Sequence, residues 1–146
     1  MKSRHLSRSL AVQTLYALDF NSKLSESLYP YNDFFPCRDE SEVNNLETDI
    51  VLYSYYLING VLQNLKEIDF LINKFSSRNI ERISIVDRNI LRISFFMLRY
   101  ENKVSYAIII DEAVKLSKEF SNEINFKFIN GVLDTFCKGL NDTYKN

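Results

Sequence analysis

Residues 83–100 read ISIVDRNILRISFFMLRY, and this stretch decides the fold of the chain. Its apolar residues recur at the three- and four-residue spacing that marks one face of an α-helix. The main apolar stripe and the residues that widen it are Val86, Ile90, Leu91, Ile93, Phe95, Met97, Leu98 and Tyr100. A helix that is apolar around so much of its circumference is typically buried. The stretch therefore predicts a central helix, with Arg88, Arg92 and Arg99 on the narrow polar face that remains.

Helical spacing continues on both sides of this stretch, and no strand-like alternation competes with it. The segments that carry it are residues 4–20, 46–75, 104–120 and 125–140. Segment 46–75 is too long for one ordinary helix, so we expect a break near Asn59-Gly60 or at Asn64.

Residues 21–45 interrupt the helical pattern with polar residues and with Pro30 and Pro36. Such a composition indicates a connector, here with a short helical turn around residues 28–35. Together with the flanking segments, it predicts an all-α bundle of about seven helices.

The composition argues against most catalytic classes. The chain has 1 histidine, and its 2 cysteines, Cys37 and Cys137, match no zinc-binding spacing. Its 3 glycines form no nucleotide-binding fingerprint or phosphate-binding loop. Adjacent carboxylates such as Asp111 and Glu112 point to different sides of a helix and make no acid–base pair. We therefore expect a protein that is not an enzyme and that has no metal and no cofactor.

Charge is unevenly distributed along a chain whose net charge is -1. The N-terminus collects four basic side chains, Lys2, Arg4, His5 and Arg8. The first acid is Asp19, so the start is basic and acid-poor like a targeting peptide. Polar residues interrupt its apolar stretch and no small-residue cleavage site follows, which argues against a leader. Because no run of about 18 apolar residues exists either, we expect no membrane span and a cytoplasmic protein.

Four blocks, in this order, resemble the NusB family. AVQTLY at residues 11–16 resembles the family pattern A-x-Q-x-L-Y, which also follows a basic stretch. VDRNILRI at 86–93 carries the family's acid near "LR". IDEAVKLSK at 110–118 and KFINGVLD at 127–134 resemble the family's NEAVELAK and KFVNGVLD. The resemblance covers nearly the whole chain, and residues 21–45 match poorly.

The resemblance implies a fold and a function. The fold is one NusB-like domain over residues 1–146, built from two packed three-helix-like halves, residues 1–76 and 77–146. The function is transcription antitermination on ribosomal RNA operons, with no catalytic step. The expected partners are boxA RNA, the small-subunit ribosomal protein NusE and the RNA polymerase antitermination complex.

The same resemblance assigns site residues by position. The RNA-binding group is Lys2, Arg4, His5, Arg8, Gln13, Arg78, Glu81 and Phe128. The partner-binding group is Tyr16 and Asp87. On physical grounds, Arg4 and Arg8 lie one turn apart on the exposed side of the first helix, and guanidinium groups suit phosphate oxygens. An exposed Phe128 beside a basic groove offers a stacking platform for an unpaired base.

Plainer interpretations stand beside these. The two N-terminal arginines also fit a solvated helix face, and Phe128 also fits the core. The arginines at 88, 92 and 99 fit pairing with Asp87, Asp111 or Glu112. Gly131 in mid-helix costs about 1 kcal/mol relative to alanine, which predicts close packing against another helix. The rival functions are a protein-interaction module without RNA contact, or a domain related to the N-terminal domains of RNA methyltransferases.

Overall fold

The computed structural model describes residues 2–25, 34–36, 48–101, 103–122 and 124–144, without the side chains of residues 2, 3 and 141–144. Its α-helices are α1 (Lys2–Phe20), α2 (Thr48–Gln63), α3 (Leu65–Phe75), α4 (Ile85–Tyr100), α5 (Tyr106–Phe120) and α6 (Asn125–Tyr144). A short 3-10 helix, Ile80–Arg82, precedes α4. No strand occurs in these ranges, so the all-α prediction is confirmed.

The described residues contain six α-helices, where about seven helices were expected for the chain. A short helical turn was expected around residues 28–35, of which only residues 34 and 35 lie within the described ranges. Phe34 has 3-10 helical geometry and Phe35 lies in a bend. The expected break in segment 46–75 lies at Asn64, whose backbone N–H donates to the Val61 carbonyl at 3.2 Å. Its side-chain amide donates to the Gly60 carbonyl at 2.8 Å, which closes the last turn of α2.

Serine side chains set where two helices begin. Ser84 is the N-cap of α4 and accepts a hydrogen bond from the backbone N–H of Asp87 at 3.2 Å. Ser105 does the same for α5 by accepting from the N–H of Ile108 at 3.4 Å. Such caps satisfy backbone donors that a helix start would otherwise leave unpaired.

The chain divides into two compact units, Met1–Leu65 and Lys66–Asn146. In the first unit, α1 packs on α2 through residues that include Leu15, Leu18, Leu57 and Ile58, none of which exposes more than 1% of its surface. The hydroxyl of Ser7 donates to the carbonyl of Ile50 at 2.8 Å and ties the two helices together.

The second unit is built around α4, which packs against α5 and α6. Residues 89–98 of α4 are all buried, so the prediction of a central helix is confirmed. The ring of Phe136 on α6 lies 4.6 Å from that of Phe95 on α4 and 5.1 Å from that of Phe75 on α3. Within the ranges described, no helix is long and apolar enough to cross a membrane.

The polar face predicted for α4 needs correction at Arg92. Arg92 is only 5% exposed, and its guanidinium holds Asp69 of α3 through two hydrogen bonds of 2.8 and 3.1 Å. The predicted acids for such pairing were Asp87, Asp111 and Glu112. The carboxylate found against Arg92 lies instead on α3, and the guanidinium also donates to the Asn89 side chain at 2.9 Å.

Candidate functional site

The segment between α3 and α4 forms an exposed, preorganised loop. The backbone N–H of Arg78 donates to the Ser76 hydroxyl at 3.0 Å, and that of Ile80 donates to the Asn73 side chain at 2.7 Å. The Asn79 side chain caps the short 3-10 helix by accepting a hydrogen bond from the backbone N–H of Glu81. The loop lines an open pocket of about 580 Å³ with Ser77, Arg78, Asn79, Glu81 and Arg82.

Arg78 lines this pocket and also contacts an aromatic side chain on α6. Its guanidinium carbon lies 4.4 Å from the centre of the Phe128 ring. Phe128 is half-buried, and so is Phe126, over which the Lys118 ammonium lies at 4.6 Å. Three predicted RNA-binding residues, Arg78, Glu81 and Phe128, therefore lie in the second unit, where Arg78 contacts Phe128 and shares the pocket with Glu81.

The other predicted RNA-binding residues lie on α1, in the first unit. Arg4 is half-exposed, and its guanidinium carbon lies 3.8 Å from the centre of the Tyr53 ring on α2. Gln13 donates to the Ser9 carbonyl at 3.3 Å, and His5 is half-buried. Lys2 begins the helix, but its side chain lies outside the described atoms.

Arg8 does not lie on the exposed side of α1, as its spacing from Arg4 predicted. It is 5% exposed, like the residues three and four positions further along, Ala11 at 0% and Val12 at 2%. Residues at those separations share one helix face, and here that face belongs to the core. The expectation failed because α1 is covered on more sides than a single apolar stripe requires.

Tyr16, one of the two predicted partner-binding residues, is 38% exposed at the other end of α1. Its ring stacks on that of Phe20, with 6.1 Å between centroids and 15° between planes. Phe20 is 65% exposed. Sequence analysis missed Phe20 and Tyr53, although the four-residue spacing of Tyr16 and Phe20 signals a shared helix face.

Asp87, the other predicted partner-binding residue, is 2% exposed. Its Oδ2 accepts hydrogen bonds from the Ser84 hydroxyl at 2.9 Å and from the Asn125 side-chain amide at 2.7 Å. An acid at the first turn of α4 is also favoured by the helix dipole. Contact with a partner stays a prediction for this residue, whose carboxylate is directed into its own unit.

Two further features limit the chemistry of the described residues. No group of three or more His, Cys, Asp or Glu side chains that could hold a metal ion occurs among them. Burial, with a smaller contribution from the charge of Asp134, raises the pKa of the Cys137 thiol to about 11. This thiol is therefore protonated at neutral pH, whereas the reactive form of cysteine is the thiolate. Cys37 lies outside the described residues.

The fold and these surfaces define an all-α protein whose notable exposed features are cation–aromatic pairs and a stacked aromatic pair, both of which are suited to binding. The chain belongs to the NusB family, whose sequence pattern matches residues 5–138.

Two relatives from bacteria carry the name transcription antitermination protein NusB. The Leptospira biflexa protein is 38% identical, with 94% of each chain covered. The Myxococcus xanthus protein is 35% identical, with 97% of this chain and 99% of the relative covered.

Solved structures of NusB proteins have the same fold. One contains antitermination factors NusB and NusE in complex with double-stranded RNA; it matches with a TM-score of 0.78, 25% identity and coverage of 95% of this chain and 98% of that chain. A second is NusB from T. maritima, with a TM-score of 0.79, 26% identity and coverage of 92% and 90%.

Proposed function

We propose that this protein is a transcription antitermination factor. It binds boxA-type RNA together with the small-subunit ribosomal protein NusE and supports transcription of ribosomal RNA operons in the cytoplasm. Relatives that bear this name cover nearly the whole chain at 38% and 35% identity. A structure of a family member with NusE and RNA supports the same pair of partners. The role is binding and assembly, without a catalytic step.

The stack of Arg78 over Phe128 carries the RNA side of this proposal. A guanidinium at 4.4 Å from a half-buried ring combines a phosphate ligand with a stacking surface. Aromatic rings that stack on unpaired bases contribute about 1–3 kcal/mol per base. The ordered loop around Arg78 and Glu81 holds this pair before RNA arrives, which lowers the entropy lost on binding.

Basic residues of α1 extend the RNA-binding group. Arg4 is fixed over Tyr53 with its surface half-exposed, so its remaining donors suit a phosphate. The same helix also carries Lys2, His5 and Gln13. We retain Arg8 in the group as a residue that shapes α1, because at 5% exposure it has little surface for RNA.

The partner side rests on the exposed aromatic pair of Tyr16 and Phe20. Aromatic residues are enriched at protein interfaces, where they bury large areas at small entropic cost. Asp87 belongs to this group by family resemblance, and its burial gives it a less direct role.

The experiment is fluorescence anisotropy with a labelled boxA strand and a scrambled strand, with and without NusE. If about three phosphates are contacted, the log–log salt slope of single-strand affinity is about −2. Arg4→Glu combined with Arg78→Glu should weaken binding strongly. Lys115→Glu with Lys138→Glu makes the same change in net charge elsewhere and is the control. The proposed site is contradicted if RNA affinity does not change with salt concentration. It is also contradicted if the two double variants bind RNA with equal affinity.

Phe128→Ala tests base recognition separately. Phosphate contacts alone do not distinguish one RNA from another, so stacking must contribute to any preference for boxA. The substitution should lower affinity for boxA by about fivefold or more, and affinity for the scrambled strand by less. Thermal unfolding of the same variant is the folding control. An unfolded variant would place Phe128 in the core, and unchanged boxA preference would remove stacking from the proposal.

A further inference from the structure

One side-chain amide joins three helices in the second unit. Asn125, the first residue of α6, donates through Nδ2 to Asp87 on α4 at 2.7 Å. It also donates to the hydroxyl of Ser121, the C-cap of α5, at 3.0 Å. The hydroxyl of Ser84, the N-cap of α4, donates to the same Asp87 oxygen at 2.9 Å.

The start of α6 is thereby fixed in both direction and rotation. The backbone N–H groups of Ile124 and Asn125 donate to the Asn122 side chain, each at 2.9 Å, and these bonds close the turn before the helix. One turn after Asn125, Ile129 is fully buried, which anchors the same side of α6. Phe128 lies between these two anchors, on the turn that faces Arg78.

A hydrogen bond to a carboxylate is shorter and stronger than one between neutral groups. The 2.7 Å bond from Asn125 to Asp87 is of this kind, and Asp87 is 2% exposed, so water competes little for it. In the described part of the chain, no donor reaches the other oxygen, Oδ1. The hydrogen bond from α6 to Asp87 therefore goes to Oδ2, in addition to the apolar packing between α4 and α6.

We propose that Asp87 and Asn125 are positioning residues that orient the Phe128 ring for base stacking. The inference rests on the proposed function and gives Asp87 a role within the second unit. Removing the amide leaves α6 held by its apolar face, which fixes the helix less strictly than a short directional bond. Phe128 then spends less time in contact with Arg78. The stacking surface is lost while the protein remains folded.

The chain has no tryptophan, so Phe128→Trp introduces a single fluorescent probe at the site. We would compare this probe with native Asn125 and in combination with Asn125→Ala. With Asn125 replaced, acrylamide should reach the indole more readily. Quenching of the indole by a single-stranded boxA oligonucleotide should require about fivefold more RNA.

A second measurement keeps Phe128 native and follows a fluorescent purine analogue within the RNA. The fluorescence change of this analogue on stacking should be smaller in Asn125→Ala and in Asp87→Ala than in the wild type. The double variant should lose no more of this signal than either single variant, because both residues serve one contact. Asp87→Asn retains a carbonyl that can accept the bond, so it should recover part of the signal that Asp87→Ala loses. Ile90→Val, a small loss of volume in the buried part of α4, is the control for destabilisation alone.

The outcomes separate the two proposals. If Phe128→Ala lowers RNA affinity while Asn125→Ala and Asp87→Ala both behave like Ile90→Val, the positioning role is wrong and the RNA site stands. If Phe128→Ala leaves RNA affinity unchanged, the RNA site itself is wrong. Loss of the stacking signal in Asp87→Asn equal to that in Asp87→Ala also contradicts positioning, because it would assign the effect to the charge.

Discussion

Arg4 and Arg8 occupy equivalent places in the sequence pattern, one turn apart on α1, yet they differ in exposure. Arg4 is half-exposed and stacked on Tyr53, whereas Arg8 is 5% exposed among core residues. A burial difference of this size changes what a substitution measures. A variant of Arg4 reports on binding, and a variant of Arg8 reports first on stability.

Arg8→Ala should lower the free energy of unfolding by about 2 kcal/mol, because it removes the packing of a side chain that is only 5% exposed and leaves the groups it contacts without it. Arg4→Ala should cost at most about 1 kcal/mol, the value of an exposed cation–aromatic contact. Urea unfolding followed by circular dichroism measures both. Equal stability of the two variants would mean that Arg8 contributes no more to the fold than a surface residue.

Gly131 is a second residue whose setting differs from its predicted one. Close packing against another helix was expected, but Gly131 is exposed, and a Cβ built there meets no atom within 4 Å. The packing explanation is therefore wrong for the isolated chain. Gly139 on the same helix is the contrasting case, since a Cβ there would lie 3.3 Å from the Phe75 ring.

Gly131→Ala should raise the free energy of unfolding by about 0.5–1 kcal/mol, because alanine loses less backbone entropy in a helix. Gly139→Ala should not stabilise the protein, since Phe75 would have to move. Thermal unfolding of the two variants makes the comparison. A destabilised Gly131→Ala protein would reveal a contact at this position that the open space around it does not show.

At the scale of elements, the apolar spacing was sufficient to predict α4, α5 and α6, and the length of segment 46–75 predicted a break near Asn59-Gly60 or at Asn64. These helices follow from short-range periodicity, which a sequence displays directly. The residue that pairs with Arg92 could not be predicted, because helical spacing gives the face of one helix and not the helix that covers it. Asp69 lies 23 positions away, on α3.

The Arg92–Asp69 pair should stabilise the contact between α3 and α4. Asp69→Ala removes the Asp69 carboxylate from a guanidinium that is 5% exposed and should cost about 3 kcal/mol. Adding Arg92→Met should recover much of this loss, because an apolar side chain does not need the missing charge. Asp111→Ala, which breaks the exposed pair with Lys115, is the control and should cost a few tenths of a kcal/mol. Equal losses in the two single variants would show that burial adds nothing to the pair.

Tyr100 on α4 makes a pH-dependent contact with Glu67 on α3. Burial raises the pKa of the Tyr100 hydroxyl to about 12, and the hydrogen bond it donates to Glu67 and the charge of that carboxylate add to the rise. An unfolded tyrosine has a pKa of about 10. The stabilisation is therefore complete below about pH 10 and is lost as pH rises through about 12.

Stability should accordingly fall more steeply above pH 10 in the wild type than in Tyr100→Phe, which has no hydroxyl to titrate. Glu67→Gln should give an intermediate slope, since it removes the charge but keeps a hydrogen-bond acceptor. Urea unfolding at a series of alkaline pH values provides the slopes. Parallel slopes in the wild type and Tyr100→Phe would rule out the linkage.

At the scale of the whole molecule, the family and its fold follow from motifs in the right order, while the surfaces depend on exposure. Tyr16, Arg78 and Phe128 are partly or fully exposed, as a contact residue should be. Arg8 and Asp87 carry equally suitable side chains, yet both are buried. A motif records the residue type and its position, but burial arises from packing between segments distant in sequence.

The aromatic pair on α1 provides the sharpest test of the partner surface. Tyr16→Ala combined with Phe20→Ala should weaken NusE binding by about tenfold or more, which corresponds to about 1.4 kcal/mol. Both rings are exposed, at 38% and 65%, so the variant should keep its thermal stability. Asp87→Lys is a less specific test of this surface, because it reverses a charge at a position where the native side chain is 2% exposed.

The matched control is Phe70→Ala on α3, since Phe70 is an aromatic residue of similar exposure, 64%, in the second unit. Calorimetric titration of NusE into each variant should show wild-type affinity for Phe70→Ala and the loss only for the pair on α1. RNA affinity of the isolated protein should be unchanged in both, since neither variant removes a residue of the RNA-binding group. Wild-type NusE affinity in a folded Tyr16→Ala, Phe20→Ala protein would mean that this exposed pair serves another contact, and that the partner binds elsewhere on the chain.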